Sequence, residues 1–354
     1  MSTNSNATND WGNLSLDVLD RLDTDAAKVA LRQFTDGEWH DVTISEFHDQ
    51  VRAAAKGLLA HGVEPGDAVA VLAKTRYEWT VIDYAIWWIG AVTVPIYETS
   101  SAAQIEWILS DCEAVLVFYD SDLHAEHLST VRADLPALTN VLPISSVLTQ
   151  LATSGVDVSD EALEDARSAL SSSTTATIIY TSGTTGLPKG CVITHGNLRA
   201  ELAGTQTVLP EIFDNENSST ILFLPLAHVF ARIIQVGAIR WGAILSHSAD
   251  MRVLGDHMAA IQPTFLLAVP RVFEEFFNAA SNKAWADGSG RTFDSAARTA
   301  IAWSRAIESG RSPSLALRSR HAMYSRLVYS KIREGLGGKV SVAISGGAPL
   351  GERL

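Results

Sequence analysis

The sequence predicts an α/β fold with mainly parallel sheets, and three observations carry this prediction. The chain has 354 residues, 47% of them are hydrophobic, and short β-branched runs alternate with stretches of helical periodicity. A chain of this length suggests two domains, or one large body of fused lobes, with ample material for a core. Strand, helix and strand in regular succession indicate parallel strands joined by right-handed crossovers.

The first half of the chain alternates strands with helices from residue 67 onward. A strand is predicted where a short apolar run follows the turn EPGD, and a helix where apolar residues recur at helical spacing and end at glycine. The predicted strands are DAVAVLA (67–73), AVTVPIY (91–97) and AVLVFYD (114–120). The predicted helices are YEWTVIDYAIWWIG (77–90), SAAQIEWILSDCE (101–113) and LHAEHLSTVRADLP (123–136). The last of these helices leads to the segment NVLPIS. Residues 144–173 are rich in serine, threonine and aspartate, which predicts an irregular surface excursion.

The second half repeats this alternation and contains no short-period repeat. The strand TATIIY resumes the sheet at residues 175–180 and is followed by a glycine-rich loop. The later segments are GCVITHGNLRAELAG (190–204), STILFLPLAHVF (219–230), GAILSHS (242–248), MAAIQPTFLLAVPRVFEEFFNAA (258–280) and KVSVAISGGAPL (339–350).

Composition and charge exclude several classes of protein. The formal net charge of -13 argues against nucleic-acid binding, which requires a basic surface. The two cysteines, Cys112 and Cys191, cannot form a disulfide framework and lack the spacing of a metal site. The polar N-terminus lacks the regions of a signal peptide, and the longest apolar run, residues 84–97, is broken by Gly90 and Pro95. We therefore expect a cytoplasmic protein.

A basic segment departs from this acidic average. Residues 271–340 contain 12 Lys+Arg and 6 Asp+Glu, a balance of +6, whereas the remaining residues contain 15 against 34, a balance of -19. Within it, AARTAIAWSRAI (296–307) is predicted to form a basic amphipathic helix. The segment 281–339 is either a solvated helical insertion or a peripheral membrane contact with Trp303 and the arginines at the lipid headgroups.

The loop YTSGTTGLPKG, residues 180–190, predicts a polyphosphate site. Gly183, Gly186 and Gly190 allow backbone angles that other residues avoid, so that amide groups can converge on one point. The hydroxyl side chains are those of Thr181, Ser182, Thr184 and Thr185. Lys189 adds a positive charge, and convergent donors with one cation suit phosphates. The loop matches neither the Walker A pattern nor the GxGxxG pattern.

This loop resembles the phosphate-binding signature of the adenylate-forming superfamily, which comprises acyl-CoA synthetases, luciferases and peptide-synthetase adenylation domains. Further segments resemble the family in the same order along the chain. These segments are VPIYETSS (94–101), VITHGNL (192–198), LFLPLAHVFAR (222–232), AVPRVFEEF (268–276) and AISGGAPL (343–350). Within the superfamily the sequence is most similar to bacterial long-chain fatty acyl-CoA synthetases.

The resemblance implies a fold and an activity. The fold would be the large N-terminal domain of an adenylate-forming enzyme, with two fused αβαβα lobes and mainly parallel sheets. After a flexible N-terminus of residues 1–15, residues 16–354 would form this domain, with interleaved lobes of about 16–215 and 216–354. A fatty carboxylate would react with ATP to give acyl-AMP, and coenzyme A would then take the acyl group, with Mg²⁺ as the metal.

The resemblance also implies roles for particular residues. Lys189 and His228 would be catalytic, with His228 on the substrate side, and Thr181 would contact the metal. The residues implied to bind the nucleotide are Thr181, Ser182, Gly183, Thr184, Thr185, Gly186, Lys189, Gly346, Gly347 and Ala348. By contrast, we expect His195 to hold the turn after the loop, Arg271 to form a structural salt bridge, and Trp87 and Trp88 to pack in the core.

The sequence departs from the family pattern after residue 350. The 354 residues contain no YGxTE-type segment, no TGD tripeptide and no C-terminal lid domain with a catalytic lysine. We therefore expect a partial domain that is inactive by itself and prone to self-association. Two alternatives stay open: a fatty acyl-AMP ligase that delivers to a carrier protein, and a non-catalytic fragment that binds nucleotide or lipid.

Overall fold

The computed structural model describes residues 11–181, 186–208 and 217–351. Residues 1–10 of the predicted flexible N-terminus lie outside these ranges. The chain separates into two compact units. The first comprises Met1–Asn217 with Leu222–Ala249, and the second comprises Ser218–Ile221 with Asp250–Leu354.

The first unit alternates helices and strands as the sequence predicts. Its helices are α1 (Ser15–Asp25), α2 (Ile44–Ala60), α3 (Tyr77–Trp88), α4 (Ala102–Asp111), α5 (Asp122–Val131), α6 (Val147–Ser154), α7 (Asp160–Ser168), α8 (His195–Val208) and α9 (Val229–Trp241). Its strands are β1 (Val29–Thr35), β2 (Glu38–Thr43), β3 (Ala68–Leu72), β4 (Val92–Ile96), β5 (Leu116–Tyr119), β6 (Asn140–Pro143), β7 (Thr175–Thr181), β8 (Lys189–Thr194) and β10 (Ile244–His247). Strand β9 (Ser219–Leu222) is divided between the two units.

The central sheet of the first unit confirms the predicted α/β fold with mainly parallel strands. Its strands lie in the order β6-β5-β3-β4-β7-β8, and every neighbouring pair is parallel except β7 with β8. All residues of β3 and β4 are buried, as expected for central strands covered on both faces. In a second sheet, β1 pairs antiparallel with β2 and parallel with β10.

The expectation of an irregular excursion at residues 144–173 is wrong, because this segment contains the helices α6 and α7. Serine and aspartate are typical of loops, but they also begin helices. The Ser159 hydroxyl accepts a hydrogen bond from the Ala162 amide and thereby caps α7. Leu151 of α6 and Leu163 of α7 are fully buried, so these apolar side chains attach the two short helices to the unit.

Helix α3 is buried on all sides and lies in the core of the first unit. Trp79, Trp87 and Trp88 are fully buried, as expected for a helix with large apolar side chains on every face. The Trp87 indole donates a hydrogen bond to the Ala176 carbonyl at 2.8 Å, which connects α3 to strand β7. The expected packing role of Trp87 and Trp88 therefore agrees with their positions.

A buried polar cluster connects α3 to α9. Asp83 and Arg232 are both fully buried, and the Arg232 guanidinium donates to the Asp83 carboxylate at 2.9 Å. The side-chain amide of Gln235 donates to the other carboxylate oxygen at 2.9 Å. Removal of one partner from a buried pair typically costs about 3–5 kcal/mol, because the remaining charge has no partner. This cluster therefore determines how α9 lies on α3.

The second unit consists mainly of helices around a two-stranded parallel sheet. Its helices are α10 (Leu254–Ile261), α11 (Pro270–Ala286), α12 (Gly290–Glu308), α13 (Leu315–Tyr324) and α14 (Ser330–Gly335), with a π-helical turn at Ser325–Tyr329. Its paired strands are β11 (Phe265–Ala268) and β12 (Val342–Ser345). The basic helix predicted at residues 296–307 lies within α12, so this part of the prediction is confirmed.

Two buried histidines predict a loss of stability on mild acidification. Burial lowers the pKa of His195 to about 4 and that of His247 to about 3, whereas an unfolded histidine titrates near pH 6.5. Above that pH both states keep these side chains neutral. Below it the unfolded state binds protons that the folded state does not. At about pH 5, the free energy of unfolding should be lower by roughly 2 kcal/mol per histidine than at neutral pH.

Urea unfolding at several pH values measures this effect in the wild type and in His247→Asn. The variant should show a shallower fall in stability between neutral pH and pH ~5, because one of the two groups is gone. His40→Asn, at an exposed position of β2, is the matched control and should keep the wild-type slope. Equal slopes in all three proteins would contradict the prediction.

Candidate functional site

The glycine-rich segment connects two antiparallel strands of the central sheet. Strand β7 ends at Thr181, strand β8 begins at Lys189, and these two residues lie directly opposite each other in the register. The structure therefore brings together the first and last of the residues predicted to bind phosphate. The segment also follows the carboxyl end of β7, and ligands of open α/β sheets bind at the carboxyl ends of the strands.

Part of the predicted site lies outside the described residues. These positions are Ser182, Gly183, Thr184 and Thr185, whose roles stay predictions. Gly186 is described and has a φ of +126°, a backbone conformation that favours glycine. Its predicted contribution to an unusual loop conformation therefore agrees with the structure.

Gly190 is required for a different reason from the one the sequence suggested. It lies opposite Tyr180 in the register, and its φ is not in the left-handed region. A Cβ atom at this position would lie 2.7 Å from the Ile178 side chain and 3.2 Å from the Tyr180 ring. Close approach between the strands, and not backbone freedom, makes glycine necessary here.

Lys189 carries an exposed positive charge at the mouth of the hairpin. Its side chain forms no ion pair or hydrogen bond with any other residue that the structure describes. An ammonium group in this position can bind an anion without breaking a contact to any residue within the described ranges. With Thr181 across the register, the hairpin presents one cation and one hydroxyl on adjacent strands.

Two side chains of helix α4 support the base of the hairpin. The Trp107 indole donates to the Pro188 carbonyl at 2.9 Å, and the Tyr180 hydroxyl donates to the Asp111 carboxylate at 2.5 Å. Burial raises the pKa of Tyr180, so its phenol stays protonated and remains a donor. Sequence reasoning missed Trp107 and Asp111. Their spacing of four residues, which places them on one face of α4, was the available signal.

His228 is exposed and caps helix α9. Its Nδ1 accepts a hydrogen bond from the Phe230 amide at 3.2 Å, so the ring has a structural role as the N-cap of this helix. A neutral ring with Nδ1 as acceptor carries its proton on Nε2. Within the described ranges Nε2 makes no hydrogen bond, so the cap leaves one ring nitrogen without a described partner.

The loop before His228 is held by Thr75, another residue that sequence reasoning missed. The Thr75 hydroxyl donates to the Leu224 carbonyl at 2.6 Å and accepts from the Leu226 amide at 3.1 Å. Leu226 and Ala227 are buried, whereas His228 is exposed. Thr75 and the Asp83–Arg232 pair therefore fix the two sides of the turn that presents His228.

Arg271 makes the structural salt bridge expected of it, whereas the side chain of His195 accepts its hydrogen bond from the segment that leads into α1 and not from the turn after the loop. His195 is fully buried, and its Nδ1 accepts from the Leu14 amide at 3.3 Å. Its low pKa keeps it neutral at physiological pH. Arg271 lies in the first turn of α11, after Pro270, and its guanidinium pairs with Glu275 at 3.2 Å. Both partners are largely exposed, so this pair contributes little to stability.

Gly346, Gly347 and Ala348 lie in the second unit, immediately after strand β12. The Gly346 amide donates to the Ala268 carbonyl at 3.1 Å, which continues the pairing of β12 with β11 by one residue. Gly347 then adopts a φ of +78°, and Ala348 is exposed. The turn therefore leaves its backbone accessible, although the binding role predicted for it remains a prediction.

A large apolar cavity of about 910 Å³, here called the phenylalanine cavity, lies within the second unit. Its apolar lining includes Phe273, Phe276, Phe277, Ala280, Phe293, Leu327, Val328 and Ile332. Leu327 and Val328 belong to the π-helical turn, a feature often found at functional sites. Ser345, the last residue of β12, also lines the cavity, which therefore reaches the residue before the glycine turn.

The candidate metal ligand is a single hydroxyl. Thr181 is exposed at the end of β7, and no described cluster of three or more His, Cys, Asp or Glu residues could hold a metal ion. Mg²⁺ commonly binds through one or two carboxylates together with substrate phosphates. Thr181 therefore fits Mg²⁺ only as one ligand of an ion that phosphate oxygens also hold.

Comparisons with known proteins show which family the chain resembles. The profile of the family described as AMP-binding enzyme matches residues 20–354. The chain is 44% identical over 346 residues to the long-chain-fatty-acid–CoA ligase FadD15 of Mycobacterium bovis, covering 97% of this chain and 57% of that protein. It is 31% identical over 313 residues to the mouse long-chain-fatty-acid–CoA ligase 6, covering 83% and 43%.

A solved structure supports the fold. The inhibitor-bound N-terminal domain of FACL13 from Mycobacterium tuberculosis superposes with a TM-score of 0.64 at 24% identity, over 74% of this chain and 64% of that one. At this identity the likeness concerns the fold alone. The family match covers nearly the whole chain, however, and includes the hairpin that presents Thr181 and Lys189. The chain therefore belongs to the family of AMP-binding enzymes.

Proposed function

We propose that this chain supplies the phosphate-binding part of an AMP-forming long-chain fatty acid–CoA ligase. The observation that carries the proposal is the hairpin, where Lys189, which has no side-chain partner among the described residues, lies opposite Thr181 at the carboxyl end of a sheet strand. The relatives named as such ligases support it. The chain spans a little over half the length of FadD15, 57%, so the activity is proposed for the whole protein.

The reaction has two steps. A carboxylate oxygen of the fatty acid attacks the α-phosphorus of ATP, the bond from this phosphorus to the bridging oxygen breaks, and pyrophosphate leaves with the electron pair. The coenzyme A thiol then loses its proton and attacks the acyl carbonyl, and AMP leaves. Both steps move negative charge onto phosphate oxygens, so positioned donors and cations are the main contribution a protein can make.

In this proposal each part of the site has one task. The loop amides and hydroxyls hold the β- and γ-phosphates, and Lys189 neutralises charge that develops on the departing pyrophosphate. Mg²⁺, held by the phosphates with Thr181 as an accessory ligand, would supply further charge neutralisation. His228 directs its Nε2 donor to the acyl substrate, and Gly346, Gly347 and Ala348 offer backbone to adenine and the acyl group. The lack of a Cβ at the glycines permits this close approach.

The phenylalanine cavity is the proposed site of the acyl chain. Its volume of about 910 Å³ is within the range of ligand pockets, and its lining is mainly aromatic and aliphatic. Transfer of each methylene group from water to such a surface contributes about 0.8 kcal/mol. A cavity that ends beside Ser345 would place the carboxylate near the glycine turn.

Other assignments complete the proposal. Coenzyme A is the proposed acceptor, and a carrier protein is the alternative, which no feature of the described residues favours.

A cytoplasmic location with peripheral membrane contact, and self-association through exposed apolar side chains such as Leu350, are proposed as well. A non-catalytic nucleotide- or lipid-binding role is the remaining alternative, and it predicts no pyrophosphate release.

The first test concerns Lys189. In the full-length protein Lys189→Ala should lower the rate of fatty-acid-dependent pyrophosphate release on the order of 100-fold, or about 3 kcal/mol, because one cation is lost where charge develops. Fatty-acid binding should change little. Measurements with acids of graded length, with and without coenzyme A, also distinguish the ligase from the carrier-protein alternative.

Lys339→Ala is the matched control, because Lys339 is also exposed but lies outside the hairpin. It should release pyrophosphate at the wild-type rate. Wild-type activity in Lys189→Ala would show that the phosphate role assigned to the hairpin is wrong.

The second test concerns the 354-residue chain by itself, which should bind ATP weakly and form no acyl-CoA. The resemblance implies that a TGD-type aspartate grips the ribose, and these residues contain no TGD tripeptide. Loss of one such contact to a charged group costs roughly 1.5–3 kcal/mol. Calorimetric titration with ATP and an acyl-CoA assay measure both properties. Micromolar affinity for ATP together with acyl-CoA turnover would mean that the catalytic machinery has been assigned to the wrong part of the protein.

The third test fills the phenylalanine cavity. Ala280→Trp should lower the affinity of the chain for palmitate by roughly tenfold or more, because the added ring occupies the acyl site. Ala279→Trp is the matched control, since Ala279 is the exposed neighbour on α11 and does not line the cavity. In the wild type, affinity should rise by up to about fourfold per added methylene. Equal binding by both variants would place the acyl chain elsewhere.

A further inference from the structure

His124 and Asp120 form a buried pair at the carboxyl end of the central sheet. Asp120 directly follows strand β5, and His124 lies in the first turn of helix α5. The His124 Nδ1 lies 3.0 Å from an Asp120 carboxylate oxygen, and the two side chains are only 4% and 8% exposed. The pair therefore lies at the sheet edge where open α/β proteins carry their functional residues.

Both ring nitrogens of His124 face groups that can only accept hydrogen bonds. Nε2 lies 2.8 Å from the Glu98 carbonyl oxygen, and Nδ1 faces the Asp120 carboxylate. A neutral imidazole carries one proton and donates once, whereas the imidazolium donates from both nitrogens. The geometry therefore requires a protonated His124 beside an ionised Asp120.

Two further charged groups favour this charged pair. The Glu98 carboxylate stabilises the protonated histidine, and the Arg76 guanidinium stabilises the ionised Asp120. The hydrogen bond to Asp120 is the largest cause that raises the pKa of His124. Burial raises the pKa of Asp120, but the hydrogen bonds from His124 and the Lys74 amide outweigh burial and leave this pKa below its ordinary value. The pair is therefore charged at about pH 6 and loses its charge as the pH rises through the raised pKa of His124.

The other carboxylate oxygen of Asp120 holds the end of strand β3. It accepts a hydrogen bond from the Lys74 amide at 2.7 Å. Strands β3 and β5 are parallel neighbours, but β3 leads to β4 on one side and β5 leads to β6 on the other. The segments that follow the two strands therefore diverge, and Asp120 connects them.

Thr75 extends this connection to the turn that presents His228. Thr75 adjoins Lys74, and its buried hydroxyl makes hydrogen bonds of 2.6 and 3.1 Å to two backbone groups of residues 224–226. The His228 amide donates to the carbonyl three residues earlier at 3.0 Å, which closes the turn. Asp120 therefore reaches the exposed histidine through three consecutive hydrogen-bonded contacts.

We propose that the His124–Asp120 pair positions His228, and that it does so only while His124 is protonated. Loss of the ring proton leaves two acceptors facing each other, at the Asp120 carboxylate or at the Glu98 carbonyl. The carboxylate then withdraws from the Lys74 amide, and the turn loses an anchor. Neither member of the pair touches substrate, so both are positioning residues. The effect on catalysis rests on the proposed function, in which His228 contacts the acyl substrate.

The contacts favour this role over a ligand site at the same edge. Both nitrogens of His124 and both carboxylate oxygens of Asp120 have partners within the protein. A ligand would have to displace one of these partners, and loss of a partner from a buried charge is costly.

Asp120→Asn and Asp120→Ala separate the charge of the pair from its contacts. In Asp120→Asn the amide oxygen can accept from Lys74, and the amide nitrogen can donate to Nδ1 of a neutral His124. This variant should keep the turn in place and remove its dependence on pH. Asp120→Ala removes both contacts. Glu126→Ala is the matched control, because Glu126 is an exposed carboxylate on the same helix.

Proton–nitrogen NMR on the 354-residue chain tests the positioning without ATP or fatty acid, so its outcome is independent of the proposed function. His124 should carry protons on both ring nitrogens at about pH 6. The Leu226 amide signal should move at the pH where His124 loses its proton. Asp120→Ala should displace this signal at every pH. Asp120→Asn should lack the step, and Glu126→Ala should keep it.

Pyrophosphate release by the full-length protein tests the consequence for catalysis. Asp120→Ala should lower kcat roughly tenfold, because a displaced His228 misplaces the acyl substrate. The KM for ATP should stay unchanged, because the Lys189 hairpin holds the phosphates. Wild type and Glu126→Ala should lose kcat as the pH rises through the pKa of His124, whereas Asp120→Asn should keep the neutral-pH kcat of the wild type and lack this loss.

Three results would overturn the proposal. They are a His124 ring with a single proton at about pH 6, an unchanged Leu226 signal in Asp120→Ala, and an alkaline loss of kcat in Asp120→Asn equal to that of the wild type. If the NMR results are as expected but no protein releases pyrophosphate, the positioning of His228 is supported and the proposed function is wrong.

Discussion

The antiparallel pairing of β7 with β8 is the constraint on which the candidate site depends. It places Thr181 opposite Lys189, so the glycine-rich loop must begin and end at adjacent points of the sheet. Pairing this close is possible because Gly190 has no side chain to meet Ile178. The Trp107 indole then donates to the carbonyl of Pro188, which ties the residue before β8 to helix α4.

A second constraint lies deeper in the same unit. The pair Asp83–Arg232 is fully buried and attaches α9 to α3, and His228 caps α9 one turn before Arg232. Burial of a charge is costly unless it is paired, so the two helices can adopt few relative positions. The orientation of the exposed histidine therefore depends on a fully buried pair of charges.

The two units use their apolar residues in different ways. In the first, strands β3 and β4 and helix α3 are buried completely, and the sheet serves as a rigid support for one loop. In the second, aromatic residues of α11 and α12 surround a cavity of about 910 Å³, and the far end of α12 exposes Ile307 beside arginines. The second unit thus leaves apolar side chains facing a cavity and solvent.

The sequence by itself determined the alternation of strands and helices and the family, because apolar periodicity and glycine-rich motifs are local properties of the chain. The phosphate-binding role of the glycine-rich loop stays a prediction. The sequence could not distinguish a loop from helices at residues 144–173, because serine and aspartate are common in loops and also begin helices. Only the tertiary structure decided that β8 pairs antiparallel, that His228 caps α9, and that Trp107, Asp111 and Thr75 support the site. These contacts join residues distant in sequence, and their geometry depends on the packing of the whole unit.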